Sequence, residues 1–456
     1  MPVLALLVLL VLDGCNRSRP TVELPIYFTC DTRGRLEPCG CFTGQYGGLT
    51  RLKTVLDTES PENSIRVDVG DAIDGSEDYD VIEYGYVLRA FAAMKFDALN
   101  AGGREARLSA GRLRDIRRSS PIPILSANLM DQHTGQPIFD SYRIVRRGDF
   151  RIAIIGLLDP RALRQPAGEG VRIADMETAL DRCLTELRGR ADLIVLLAFA
   201  DEATLSNLAR HYYECQVILG GAVSQPAQEL RRENRSVIYF VTNESRALGI
   251  LKLRLTQGAP LQTVANEIRL LHDKIPQDPS FCRLMQDYRA EIRKTQLAVD
   301  DPSRLSEDSV PGVKVVATYL GTEKCVGCHK TAAQVWNRSA HARAFATLKE
   351  HSADADPRCI GCHTIGFGSP SGYRREFGVS KLAQVGCESC HGPGSLHVAQ
   401  QNGDDSIHFT FRPLESGDCR KCHFGEFSRP FDWNEFWTPI QHTKDPGANG
   451  GIAAKP

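Results

Sequence analysis

Over residues 23 to 257 the apolar positions switch period repeatedly. Short β-branched runs bounded by Gly, Pro or Asp alternate with segments whose apolar residues recur every three or four positions. Val22 to Cys30 predicts a strand, and Leu49 to Asp57 has helical spacing. Ile65 to Val69 predicts a strand ending at Gly70-Asp71, and Val81 to Met94 an apolar-rich helix. Ile122 to Ala127, Arg151 to Leu157, Leu193 to Ala198, Val217 to Leu219 and Val237 to Thr242 repeat the strand signature. Tyr142 to Val145 and Phe150 to Ile155, joined around Arg147-Gly148-Asp149, predict a hairpin. Such alternation implies an α/β domain with a mixed sheet.

Residues 258 to 318 change character. Glu267 to His272 and Phe281 to Thr295 are amphipathic and charged, as connecting helices are, and Asp300-Asp301-Pro302 through Pro311-Gly312 is a polar, breaker-rich linker. From Tyr319 to residue 443 strand signals are scarce and Gly and His frequent, which predicts a mainly α, loop-rich domain. Residues 444 to 456 are expected to be a disordered tail. At the other end, the first twelve residues are almost wholly apolar. That run is too short for a mature transmembrane helix and suits a signal peptide over residues 1 to 14. Leu12-Asp13-Gly14-Cys15 resembles the bacterial lipoprotein box, which implies lipidation of Cys15 and an anchor linker over residues 15 to 22. The alternative is an ordinary signal peptide with an incidental Cys. A diacyl anchor holds firmly because each buried methylene contributes about 0.8 kcal/mol. The expected location is the bacterial cell envelope, on the periplasm-facing or outer-membrane surface.

The 456 residues suffice for two or three domains. A formal net charge of −1 gives no bulk attraction for polyanions, so no nucleic-acid partner is expected. Cysteine changes the picture most. Of fifteen, eight fall in four C-x-x-C-H pentapeptides beginning at Cys325, Cys359, Cys387 and Cys419. Each reads as a c-type haem attachment site. Cys325 and Cys328, Cys359 and Cys362, Cys387 and Cys390, and Cys419 and Cys422 would form the thioethers. His329, His363, His391 and His423 would be the proximal iron ligands. Structural zinc also uses C-x-x-C pairs, but would not require His after the second Cys every time. Four covalently bound haems are therefore expected. His341, His351, His397, His408 and His442 are the remaining candidates in this region for a sixth ligand.

Residues 319 to 443 resemble the tetrahaem cytochrome c family whose members accept electrons during hydroxylamine oxidation. The likeness rests on Trp336-Asn337-Arg338-Ser339-Ala340-His341-Ala342, on Cys390-His391-Gly392-Pro393-Gly394-Ser395-Leu396-His397 and on Trp437-Thr438-Pro439-Ile440-Gln441-His442. It implies closely stacked haems, with His341, His397 and His442 as distal ligands. The fourth iron is then open, or served by His351 or His408.

Residues 23 to 257 resemble the periplasmic 5′-nucleotidase type of metallophosphatase. The carrying segments are Asp31-Thr32-Arg33-Gly34, Asp68-Val69-Gly70-Asp71, Ala101-Gly102-Gly103-Arg104-Glu105, Ser126-Ala127-Asn128 and Leu219-Gly220-Gly221. The resemblance implies a four-layer α/β/β/α sandwich with two metals clamping a phosphate. Asp31 and Asp71 match carboxylate ligands. Arg33, Gly103, Arg104, Phe199, Ala222 and Ser224 stand where that pattern has His or Asn. A reactive dinuclear site is therefore not expected. Cys30, Cys39 and Cys41 cluster beside it in sequence. They read either as a disulfide plus a spare thiol, or as a soft site for an additional metal with Asp31 or Asp71 assisting.

The combined expectation is an exported electron carrier with redox partner proteins at the envelope and a non-catalytic binding domain. Two enzymatic alternatives stand beside it. One is a haem oxidoreductase acting on a small nitrogen or sulfur compound at a five-coordinate iron. The other is a residual phosphoesterase.

Overall fold

The computed structural model describes residues 19–38, 46–242, 244–305, 316–375, 380–424 and 428–442. The apolar leader, Cys15, Cys39, Cys41 and the tail after residue 443 lie outside them. Among the described residues no helix is long and apolar enough to cross a membrane.

The strands are β1 (Thr21–Thr29), β2 (Ile65–Asp68), β3 (Ala98–Asn100), β4 (Ile124–Leu125), β5 (Leu129–Asp131), β6 (Tyr142–Arg147) and β7 (Phe150–Leu158). They continue with β8 (Val171–Ile173), β9 (Leu193–Phe199), β10 (Val217–Gly221), β11 (Arg231–Glu233), β12 (Ser236–Phe240), β13 (Ala247–Thr256) and β14 (Gln262–Leu270). Two six-stranded mixed sheets result, ordered β14-β13-β1-β2-β3-β4 and β11-β12-β10-β9-β7-β6. A small sheet pairs β5 with β8. The two large sheets face each other where β3 and β4 meet β7. Helices α1 (Leu49–Glu59), α2 (Asp78–Ala93) and α3 (Ala110–Ser119) lead through the first half, and α4 (Met176–Leu187) and α5 (Glu202–His211) through the second. α4 packs on β7, and α5 on β10 and β12. This is the expected sandwich. Central strands such as β9 and β10 are buried almost throughout, which is why they read as continuous apolar runs. The predicted hairpin is β6–β7, paired from Tyr142↔Ile155 to Arg147↔Phe150.

The structure corrects the expected boundary at residue 257. Glu267 to Leu270 is not helical but belongs to β14, antiparallel to β13 through Ala247↔Leu270. β14 is an edge strand, exposed or half-buried throughout, so its charged residues blur the two-residue period that would have marked it. Nor is α6 (Pro279–Lys294) a loose connector. Its Phe281, Met285, Tyr288 and Ile292 enter the core of the first domain.

Beyond residue 316 the helices are short: α7 (Glu323–Val326), α8 (Lys330–Arg338), α9 (Ala344–Glu350), α10 (Pro357–His363), α11 (Cys387–His391), α12 (Ser395–Gln401), α13 (Ser416–Arg420) and α14 (Trp433–Trp437). Among the described residues, apolar packing there forms a cluster around Phe345, Ile360, Ile365 and Tyr373 and a smaller one around Ala317, Leu396 and Phe409. Polypeptide alone gives such a region little core.

Candidate functional site

Each pentapeptide is one turn of helix. The His329 amide donates to the Cys325 carbonyl at 3.0 Å, and the His423 amide to the Cys419 carbonyl at 2.9 Å. Residues three apart on a helix share a face, so the paired thiols project together. Thiols of different pentapeptides also meet. Cys325 shares a hydrogen bond with Cys387, and Cys362 with Cys422. The first pentapeptide thus lies against the third, and the second against the fourth.

The imidazoles follow the same plan. His329 faces His397 with ring centres 6.0 Å apart, His423 faces His341 at 5.9 Å, and His391 faces His442 at 6.1 Å. Two imidazoles gripping one metal from opposite sides, through bonds of about 2 Å, place their centres roughly 6 Å apart. The spacing therefore fits an iron between each pair. Burial, the largest cause in each case, lowers the pKa of His341, His397 and His423, and takes His391 down to about 4. The neutral ring is the ligating form. His363 differs. Its Nδ1 sits 2.8 Å from the Ala344 carbonyl, which fixes the proton there and leaves Nε2 for a metal. Among the described residues no histidine faces it. His351 and His408, considered for that place, are both exposed.

Glu388, inside the third pentapeptide, carried no sequence signal beyond its position. Buried at 3% exposure, its carboxylate accepts from the amides of Leu320 at 3.0 Å, Gly321 at 2.7 Å and Gly394 at 2.8 Å. It ties the start of the domain to the loop before His397. Hydrogen bonds to a charged group contribute about 1.5–3 kcal/mol each, and stranding their donors costs more. Glu388→Ala should lower unfolding stability by about 3 kcal/mol in denaturant titration. A loss below about 1 kcal/mol would contradict this role.

The second site is a cleft of about 980 Å³ at the C-terminal ends of the first domain's strands. Asp31, Asp71 and Ala222 follow β1, β2 and β10, and Gly103 and Arg104 follow β3. Asp31, Arg33, Asp71 and Ala222 have φ of 60°, 45°, 58° and 57°, a concentration of left-handed backbone typical of functional loops. The loops keep their shape. Buried Glu105 accepts from the amides of Asp71, Ala72, Ile73 and Gly102 at 2.8–3.1 Å. Buried Asp68 accepts from Thr29 Oγ1 at 2.7 Å and the Gly70 amide at 2.8 Å. Asn128 is turned into the fold, donating to the carbonyls of Leu158 and Ala174.

Guanidinium groups of the chain stand beside both carboxylates. Arg33 grips Asp31 through Nε at 2.6 Å and Nη2 at 2.9 Å and reaches Glu244 at 2.5 Å. Arg104 lies 3.6 Å from Asp71 and bonds Asp74 at 3.0 Å. Guanidinium groups thus occupy the carboxylates that would hold cations. Burial, with Glu105 beside it, pushes Asp71 up to about 8, which further weakens it as a ligand. Phe199 lines the wall. Cys30 is a buried thiol that donates to the Gly70 carbonyl at 3.6 Å. Burial and Asp68 push its pKa well up, the opposite of a metal-binding thiolate. Cys39 and Cys41 lie outside the described residues, and among those described no three Cys, His, Asp or Glu side chains gather as a metal site. The residues do not fit a dinuclear cluster.

A two-sheet α/β sandwich is thus followed by a region of short helices that carries the four C-x-x-C-H turns. The family described as cytochrome c554 and c-prime matches residues 324–392, which hold three of the pentapeptides. Cytochrome c-554 of Nitrosomonas europaea is 43% identical over 93 residues, covering 17% of this chain and 40% of that protein. This likeness implies covalently bound c-type haem. The human 5′-nucleotidase is 25% identical over 321 residues, covering 62% of this chain and 54% of that protein. The chain thus spans about half the length of the curated relatives it matches, or less. The 5′-nucleotidase precursor of Thermus thermophilus superposes with a TM-score of 0.52 at 19% identity, covering 62% of this chain and 66% of its own. The first domain has the 5′-nucleotidase fold.

Proposed function

We propose that this chain is an exported tetrahaem c-type cytochrome that passes electrons between redox partner proteins at the cell envelope. The observation that carries the reading is the set of three imidazole pairs, each joining a pentapeptide histidine to a histidine of the predicted distal set. Bound haem supplies the one-electron chemistry. The chain's own part is to saturate three irons with His397, His442 and His341. Such ligation keeps geometry alike in both oxidation states, which suits electron transfer. The meeting thiols draw the attachment sites into one cluster. An anchor at Cys15 would hold the protein at the membrane. A haem count with spin-state spectroscopy, argued in the Discussion, is the test.

A second reading is favoured by His363, which no histidine faces among the described residues. An iron left open there would admit a small nitrogen or sulfur compound, making the protein an oxidoreductase. Nitrite, hydroxylamine or cyanide should then shift the high-spin ferric spectrum, and an unmoved spectrum would remove this reading.

The cleft, on this proposal, binds an anionic group without hydrolysing it. Arg107 and Arg164 line it, and among the described residues neither has a carboxylate partner. Calorimetric titration of the holoprotein with inorganic phosphate should show binding that survives chelation of divalent metals and weakens at least about ten-fold in R107A/R164A. About 1.4 kcal/mol corresponds to each such factor, a modest demand on two charge-assisted contacts. Binding that vanishes with chelator would contradict the proposal.

A further inference from the structure

The first domain meets the second pentapeptide through buried charge. Arg358 stands on α10, immediately before Cys359. Its Nη1 is held by Glu83 of α2, and the two side chains are 17% and 4% exposed. Burial pushes the Glu83 carboxyl up, and Arg358 is the counter-charge that pulls it back. The Arg358 amide donates to Asp356 Oδ1 at 3.0 Å, and Asp356 Oδ2 accepts from Tyr288 of α6 at 3.0 Å. A loop of the cleft closes the assembly. Gly34, at φ +67°, lies so near that a Cβ would come within 2.0 Å of Glu83 Oε2 and 2.9 Å of Arg358 Nη1. A side chain there would have to displace the pair, and the left-handed backbone favours glycine. A flexible tether between independent domains would need none of this. A buried ion pair is a doubtful source of stability, but it fixes a unique arrangement and places charge where water screens it little.

We propose that Glu83 and Arg358 are positioning residues that lock the cleft domain onto the second attachment site and set the reduction potential of the haem held by Cys359 and Cys362. The cation lies one residue from a thioether cysteine, and the anion comes from the other domain. Their effects on that iron have opposite signs. Reduction adds an electron, so a nearby cation favours the reduced state and a nearby anion opposes it. Singling out the haem on His363 by its spin state rests on the ligation proposed above, whereas the sign argument does not.

The test is a spectroelectrochemical titration of the full-length holoprotein, with electron paramagnetic resonance identifying the component that moves. R358Q should lower the midpoint potential of one component, E83Q should raise it, and the others should stay in place. Loosening of the interface alone would move that component the same way in both variants, and either that result or unmoved potentials overturns the proposal. R358K, which keeps the charge, should return the potential towards the parent value. If R358Q fails to accumulate, E83Q decides alone, because Arg358 then still faces Asp356 and the interface keeps a polar acceptor. An upward shift supports the role and no shift removes it. Should the parent protein lack a high-spin haem, the ligation reading fails while oppositely signed shifts of one component would still stand.

Discussion

The oxidised holoprotein is expected to show three low-spin ferric haems and one high-spin haem, and H442A is expected to double the high-spin signal. The first half follows from the imidazole pairs. Two strong-field axial nitrogens favour the low-spin state, and axial ligation is the protein's main control over haem iron. Among the described residues no histidine ring faces His363, so its iron should stay five-coordinate and high-spin. The second half uses the most separable distal ligand. His442 is exposed, near the end of the described residues, and is oriented by its own Nδ1 lying 2.9 Å from the Ile440 carbonyl. Its loss removes a ligand from the iron on His391 without emptying a core. H351A and H408A should leave the spectrum unchanged. A pyridine haemochrome count of four per chain must accompany these spectra. Uniformly low-spin iron in the parent protein would defeat the assignment, as would an H442A spectrum identical to it.

What the sequence disclosed depended on how local each signal is. The four pentapeptides were legible in full, because C-x-x-C-H carries its geometry within one helical turn. The distal histidines were legible only through their surroundings. Which faces which depends on how short helices pack, so the pairing of His329 with His397 rather than His341 had to come from the structure. The sandwich was readable from β9 and β10 and most of β7, whose burial leaves apolar runs. β14 was not, since an edge strand with polar faces imitates an amphipathic helix. The loss of metal ligands was visible as Arg33 and Arg104, but not that Arg33 would turn onto Asp31 and meet Glu244, 211 residues away in the chain. Glu83 with Arg358, 275 residues apart, and Glu388 belong to the same category. Buried charges reveal their purpose only when their partners are known, and no periodicity marks a long-range pair.

The other large effect expected is a null in the parent protein reversed by redesign. Purified protein supplied with manganese or zinc should hydrolyse phosphomonoesters no faster than the buffer blank. A two-metal phosphatase draws its nucleophile and its charge neutralisation from the cations. Here Asp31 is engaged by Arg33, Asp71 is flanked by Arg104, and imidazoles are lacking at positions 33, 104, 199, 222 and 224. Losing even one electrostatic contributor commonly costs 10²–10³ in rate, roughly 3–4 kcal/mol, and several are missing at once. The scaffold nonetheless retains room for the ligands. A Cβ at Gly103 would find its nearest neighbours at 3.5 Å and 3.7 Å, ordinary contact distances, so asparagine fits there. The left-handed backbone at Ala222 is one that histidine tolerates better than most residues. The combined variant R33H/G103N/R104H/F199H/A222H/S224H removes both guanidinium groups and supplies the missing donors. It should retain bound zinc or manganese after desalting, measured by elemental analysis, where the parent retains iron alone. Metal-stimulated turnover by the unaltered protein would show that the arginines do not block the cleft, and the binding-domain reading would fall with it.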